Sequence, residues 1–358
     1  MTPALRSAFA GQAKACGQLG SPFMAWALPR MLDAVDPASA LGNRLRTWPE
    51  DRIRAQHDAV ALRLAGGLHA LKLQGDPVLS AVYPPHATDT DSFTTALRDT
   101  YTRHETHLLD WLNLPPQTNE VRRAAILIAA GHWLTARYGK MLILSELGAS
   151  GGLNLNWDFF HLQAAGQSFG PETSAVRLTP DWQGTPPTHC PPYVHEARGV
   201  DLNPLHPNDP QAELRLLAYL WPDQADRLAR TQAAIALAKS PDTESEHQLV
   251  QGDALDWLPT RLPHRAPYLH MIYSTIAWQY LPDAARAAGT AMIEQAGKVA
   301  TDDAPLAWFT MEPDGQTPGA ALTMRLWPDN LTLNFGRVDF HGRWVNWQAP
   351  AFDTAHTA

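Results

Sequence analysis

Leu142-Ile143-Leu144-Ser145-Glu146-Leu147-Gly148-Ala149-Ser150-Gly151-Gly152 decides how this chain is read. A short apolar run carries an acid near its end, a small-residue turn follows, and an amphipathic segment comes next. That is the order of a strand, a glycine-rich turn and a helix start. Small residues let a ligand lie against the main chain, because no Cβ stands in the way. The first N–H groups of a helix lack intrahelical acceptors, so a helix start there suits an anion or a polar ligand. An ordinary packed strand–turn–helix uses the same letters, so the stretch takes its weight from its surroundings.

Downstream, strands alternate with helices. Arg198 to Asp201 ends a second strand in an acid, and Gln248 to Asp253 ends a third in another. Tyr268–Ile276 reads as a fourth strand and Pro305–Met311 as a fifth, with a helix over Asp283–Ala300 between them. Glu213–Leu220 and Pro222–Ala238 read as helices, since proline is tolerated at a helix start. Ala321–Trp327 and Leu331–Phe335, around Pro328-Asp329-Asn330, form an antiparallel hairpin, and the run from Phe340 to Trp347 adds a further strand. The residues from Leu153 fit a helix or a strand equally well, and a short helix is expected there. About 160–195 is punctuated by glycine and proline and reads as an irregular or hairpin insertion. Alternating strands and helices imply a mostly parallel sheet with helices on both faces. Ligands of such sheets sit outside the C-terminal strand ends, where Glu146, Asp201 and Asp253 fall.

Upstream, Ala4 to Tyr138 reads as helical. Phe9, Ala13, Cys16 and Leu19 recur at helical spacing until Gly20-Ser21-Pro22. A second helix is expected over Glu50–Leu73, and a third over Phe93–Leu112 behind Asp91 or Ser92 as cap. After Leu114-Pro115-Pro116 comes Gln117-Thr118-Asn119-Glu120-Val121-Arg122-Arg123. Thr118 or Asn119 can cap the apolar helix from Ala124 to Leu134, and Glu120 favours its positive end. A pocket wall is the alternative reading of that polar run. The expected division is therefore a helical region over 1–139 and an α/β domain over 140–358.

The 358 residues suit one large domain or two medium ones. A net charge of −8 offers nucleic acid no basic footprint. Cys16 and Cys190 lie far apart, so neither a disulfide framework nor a metal spacing is present. His104 and His107 lack a third ligand and read as solvated surface. No metal site is expected. No apolar run approaches a membrane span, and no secretory leader opens the chain. The expectation is a cytoplasmic protein that binds a small molecule, not nucleic acid or a membrane. The oligomeric state is not legible.

This order of parts resembles the class I S-adenosylmethionine-dependent methyltransferases from about Met141 onward. Glu146-x-Gly148-x-Ser150-x-Gly152 is similar to that family's acid-x-Gly-x-Gly-x-Gly motif, with Ser150 in place of the middle glycine. The resemblance implies a Rossmann-like methyltransferase fold and S-adenosylmethionine as cofactor. It implies that Asp201 holds the ribose hydroxyls, that Asp253 and Ala254 border the adenine, and that Tyr273 and Ser274 face the transferred methyl. The 55 positions from Glu146 to Asp201 exceed the about 20 of a plain βαβ unit, and the insertion must account for them. The fourth strand lacks Asp/Asn-Pro-Pro-Tyr, so methylation of base or amide nitrogen is not implied.

The chain also resembles, end to end, the bacterial family catalogued as domain of unknown function 2332. The matching residues are Gln12-Ala13 with Gly20-Ser21-Pro22-Phe23, Pro115 to Val121, Glu146 to Leu155, Trp221-Pro222-Asp223-Gln224 and His341-Gly342-Arg343-Trp344. That resemblance supplies relatives without a reaction.

Methyl transfer to a small molecule is the expected activity, with His341 a candidate general base. Two other readings use the same letters. The protein can bind the nucleoside without catalysis, since fold does not fix function. Gly148-Ala149-Ser150-Gly151-Gly152 also matches the Gly-x-Ser-x-Gly elbow of serine hydrolases, with Asp253 and His341 following in that order. Against the hydrolase, residues 1–139 read as helices where an elbow needs strands, and no His-Gly-Gly-Gly-type segment precedes it.

Overall fold

The computed structural model describes residues 1–54, 57–240 and 247–351. The chain divides into two compact units, one of Met1–Thr118 with Asp209–Ala229 and the other of Asn119–Asn208 with Arg230–Ala358.

The first unit is helical. Its elements are α1 (Pro3–Gln18), α2 (Pro22–Asp33), α3 (Ala40–Arg46), α4 (Val60–Leu73), α5 (Pro77–Val82), α6 (Thr90–Arg103), α7 (Glu105–Asn113), α9 (Pro210–Ala218) and the start of α10 (Ala225–Ala238). The side chains of Thr2, Ser21, Ser39, Asp76 and Asp89 cap the first, second, third, fifth and sixth of these, each by accepting a main-chain N–H. Leu5, Phe9, Leu28, Met31, Leu64, Leu68, Phe93 and Leu97 are fully buried in its core. Two expected helices are shorter than their apolar pattern. The Glu50–Leu73 helix begins at Val60, because Ala59 stands in the left-handed region at φ 48°. The Phe93–Leu112 helix is broken at His104, which leaves the helical region at φ −123°. His104 and His107 are not merely solvated: His104 lies 3.1 Å from Asp76, and His107 3.1 Å from the Gly67 carbonyl.

The second unit holds a nine-stranded sheet. In chain order its strands are β1 (Leu142–Leu147), β5 (Asp181–Gln183), β6 (Val194–Asp201), β7 (His247–Gln251), β8 (Leu269–Thr275), β9 (Leu306–Glu312), β10 (Ala320–Trp327), β11 (Leu331–Val338) and β12 (Trp344–Trp347). Across the sheet they run β5-β12-β11-β10-β9-β8-β1-β6-β7. From β7 to β9 every pairing is parallel, and β9, β10, β11 and β12 pair antiparallel. The expected mostly parallel sheet with antiparallel strands at one end is thus what forms. Ranked by sequence, the five parallel strands stand in the order 3-2-1-4-5 of a Rossmann-like sheet, with the topological switch between β1 and β8.

One face is covered by α11 (Ala254–Arg261) and α12 (Asp283–Gly297), around Leu147, Ile272, Ile293, Trp308 and Trp327. On the other face α8 (Ala124–Tyr138) sets Trp133 edge-on to Phe335 at 5.0 Å. The insertion carries β2 (His161–Ala164), β3 (Gln167–Phe169) and β4 (Arg177–Leu178) as a small separate sheet. Among the described residues, no helix is long and apolar enough to cross a membrane.

Candidate functional site

The glycine-rich turn does not open an α-helix. Leu153–Phe159 is a 3-10 stretch interrupted at Asn156, and the chain then enters β2. The reason lies in what takes the turn's N–H groups. Gly148 and Ala149 N–H donate to the Val200 carbonyl at 2.9 and 3.0 Å, and Gly152 N–H to the Ala149 carbonyl at 2.8 Å. Ser150 N–H donates to Asp201 Oδ2 at 2.8 Å. Gly151 and Leu153 N–H both donate to Asn119 Oδ1, at 3.1 and 3.0 Å. Each N–H from Gly148 to Leu153 thus has a protein acceptor. The expected helix-start anion cradle is absent here, because side chains from elsewhere fill it.

The glycines serve packing. Gly148 lies at φ 74°, and a Cβ there would come within 2.5 Å of the Ala277 Cβ, so the turn after β1 lies directly against the one after β8. That second turn is held by Glu312, at the end of β9. Its Oε1 accepts from Ser274 Oγ at 3.0 Å, Ala277 N at 3.0 Å and Trp278 N at 2.9 Å. Burial nevertheless pushes the Glu312 carboxyl above its ordinary range. Between them Ile276 sits at φ 56°. A β-branched residue in that region is strained, a state that clusters at functional sites.

Glu146 pairs in register with Tyr273, so both project from the α8 face. Glu146 is 2 % exposed and Tyr273 fully buried. Burial, with Asp201 nearby, pushes the Glu146 carboxyl up to about 8, against the pull of the Tyr273 hydroxyl and Arg123. The Tyr273 hydroxyl lies 3.5 Å from Glu146 Oε2 and 3.3 Å from the Asn154 carbonyl. A phenol has one proton to give. Donation to the carbonyl, with the neutral carboxyl donating to the phenol oxygen, satisfies all three groups. Arg123 spans this end of the sheet, its Nη1 donating to the Thr275 carbonyl and its Nε to the Phe340 carbonyl, both at 2.9 Å. Ser150 Oγ and Asn154 Oδ1 are buried without a hydrogen-bond partner. A buried polar atom without a partner is one that a water or a ligand can satisfy.

The sequence candidates divide accordingly. Glu146, Gly148, Ser150, Gly152, Asp201 and Tyr273 come together at the switch point. Asp253 is one strand further out, where its Oδ1 caps α11 through Leu255 N at 2.7 Å and Ala254 opens the helix. The Gly252 N–H donates to the Asp201 carbonyl, joining the two acidic strand ends. Ser274 projects from the opposite face to Tyr273 and is committed to Glu312, so these two do not face one point. His341 lies on the β11–β12 turn, its N–H held by Asp339 Oδ1 at 2.9 Å. Ser150 Oγ has no base within hydrogen-bond distance. Among the described residues no His, Cys, Asp and Glu group could hold a metal ion.

Sequence reasoning missed Asn119 as a clamp and Glu312 as the organiser of the β8 turn. The polar run at 117–123 carried a signal for the first. The acid following Met311 at the fifth strand end carried one for the second. The expected capping by Thr118 or Asn119 is corrected, because Glu120 caps the short 3-10 turn Val121–Arg123 instead.

A family model described as "Uncharacterized protein conserved in bacteria (DUF2332)" matches residues 6–347, and the chain belongs to that family. No curated protein matches it.

Proposed function

We propose that this DUF2332 protein binds S-adenosylmethionine at the C-terminal ends of β1, β6 and β7 and passes its methyl group to a small-molecule acceptor, as a methyltransferase of class I type. One observation carries the reading: in a 3-2-1-4-5 sheet, the three consecutive strands on one side of the switch point carry Glu146, Asp201 and Asp253 at or just beyond their C-terminal ends. Ligands of such sheets lie across those ends.

The adenosine half fits these residues. Asp201 is partly exposed at its strand end and Asp253 exposed at the next. Carboxylates there suit the hydroxyl and amino donors of a nucleoside. The unpartnered Ser150 Oγ adds a polar atom against the same turn. At the amino-acid half stands Glu146, neutral near pH 7, which a neighbouring cation would draw into its charged form. The turn's N–H groups contribute little, being already engaged.

Bound there, the sulfonium supplies an activated methyl group, so the residues chiefly align and exclude water. Tyr273 and Glu146 share a buried proton network, and Glu146, once a bound cation draws it into its charged form, is the carboxylate placed to take a proton from an acceptor. Ser274 acts through Glu312, holding the β8 turn in its strained form.

Calorimetry with S-adenosylmethionine, its demethylated product and NAD tests the reading. The first two should bind and NAD should not. Asp201→Asn keeps an acceptor for the Ser150 N–H but loses the charge, and should weaken binding by about 1–3 kcal/mol. Absence of binding to folded wild-type protein would remove the cofactor assignment. Binding without transfer to any acceptor would leave the non-catalytic reading.

A further inference from the structure

We propose that a cleft at the opposite, N-terminal edge of the β1–β8–β9 sheet binds a small oxyanion, a phosphate or a carboxylate, between Arg261 and Arg265. The inference does not depend on the nucleoside reading. The cleft measures about 80 Å³ and is lined by Arg261, His264, Arg265, Tyr268 and His270 among others, and among the described residues no carboxylate stands in its wall. That is room for an anion of a few heavy atoms, since a water occupies roughly 30 Å³ of liquid.

The charge around the cleft is unbalanced. Glu196, behind the wall, is shared by three guanidinium groups: Arg261 Nη1 at 2.7 Å, Arg265 Nη1 at 3.0 Å and Arg198 Nη2 at 3.2 Å. Among the described residues, one negative charge thus faces three positive ones. Arg261 is nine-tenths buried, so its charge is poorly screened by water. It gives Nε to Ser145 Oγ at 3.0 Å and Nη2 to the Leu144 carbonyl at 3.3 Å. With Nη1 on Glu196, three of its five N–H donors are spent.

Of the histidines in the wall, His264 has its Nε2 against the Ala296 carbonyl at 2.8 Å, and His270 adds a donor rather than charge. Ser145 is fully buried and receives the Arg261 Nε–H, so its own proton goes to His270 Nε2, 2.8 Å away. The neutral His270 ring then carries its proton on Nδ1. Burial and the Arg261 charge keep this ring neutral, with its pKa pulled down to about 3. The main-chain N–H of His270 donates to the Pro305 carbonyl at 3.0 Å, which fixes this ring at the start of β8. A paired guanidinium fork is well matched to a planar or tetrahedral oxyanion.

The test titrates inorganic phosphate, acetate and chloride separately into the full-length protein at constant ionic strength, followed by calorimetry. Saturable binding of phosphate, of acetate or of both is expected, and the arm that binds identifies the class. Arg265 is 43 % exposed and can be changed with the fold intact. Arg265→Gln should weaken that binding about tenfold, the loss of one charge-assisted hydrogen bond, while Arg265→Lys retains part of it. The proposal is overturned by no saturation with either oxyanion, by chloride binding as well as both, or by unchanged affinity in a folded Arg265→Gln.

Discussion

Asn119 and Gly151, 32 residues apart in sequence, meet where the amide oxygen of Asn119 accepts the Gly151 N–H at 3.1 Å. The same oxygen takes the Leu153 N–H, so one side chain fixes both ends of the turn after β1. Both donors are buried. Asn119→Ala should therefore lower stability by about 2–4 kcal/mol, since each buried group left unmatched costs about 1–3. Urea unfolding measures it, and a loss below 0.5 kcal/mol, roughly the scale of an ordinary surface change, would show that the clamp is dispensable.

The contact between the two turns predicts a coupled pair. Gly148→Ala meets both an unfavourable φ and the Ala277 Cβ, and should cost about 2–4 kcal/mol. Adding Ala277→Gly relieves the clash but not the backbone conformation. The double variant should recover about 1–2 kcal/mol, and strict additivity in the cycle would mean the turns do not touch.

Glu146 makes stability depend on pH in a defined direction. Its folded pKa, about 8, lies above its ordinary 4.5, so between those values the folded state holds a proton that the unfolded state has lost. Its contribution is fully present below about 4.5 and is lost as pH rises through about 8. His270 works on the acid side: its pKa is pulled from 6.5 to about 3, so stability present above 6.5 is lost as pH falls toward 3. In Glu146→Gln the fall of stability between about pH 5 and 8 should flatten, as unfolding curves taken from pH 5 to 9 will show. An unchanged slope would mean that Glu146 is ionised in the folded protein.

Ser150 separates transfer from hydrolysis. Its hydroxyl is buried and without a base, so a serine-directed fluorophosphonate should not label the protein. Ser150→Ala should leave nucleoside binding within about 1 kcal/mol. Labelling that vanishes in Ser150→Ala would establish a hydrolase.

Much of the sheet was legible because apolar runs ending in an acid, as at Leu142–Leu147, mark buried parallel strands through local pattern alone. The segment after the turn was not, because Leu153, Trp157 and Phe160 fit an α-helix while Leu153, Leu155, Trp157 and Phe159 fit a strand, and the 3-10 stretch that forms follows neither period. What decides between them is Asn119, which takes the Leu153 N–H from a distant part of the sequence. Glu146 could be placed at its strand end by spacing. Its neutrality could not, because that depends on the groups that close over it from α8's side of the sheet. The break of the third helix at His104 had no signal in the apolar periodicity, which continues through it.

The helical unit is completed only by residues that follow part of the sheet. Tyr219 closes over Gly66, where a Cβ would stand 2.6 Å from its ring, and its hydroxyl donates to the Leu114 carbonyl. Asp223 accepts from Ser21 Oγ at 2.5 Å and from the Phe23 N–H at 2.9 Å. A ribosome therefore releases the whole Met1–Thr118 part of the helical unit and several strands before the pieces that seal α2 and α4 emerge. The nascent helices must wait, with part of their apolar surface uncovered, in a chain otherwise ready to collapse. Vectorial synthesis thus imposes an order in which α9 and the start of α10 act as the closing bolt of the earlier unit.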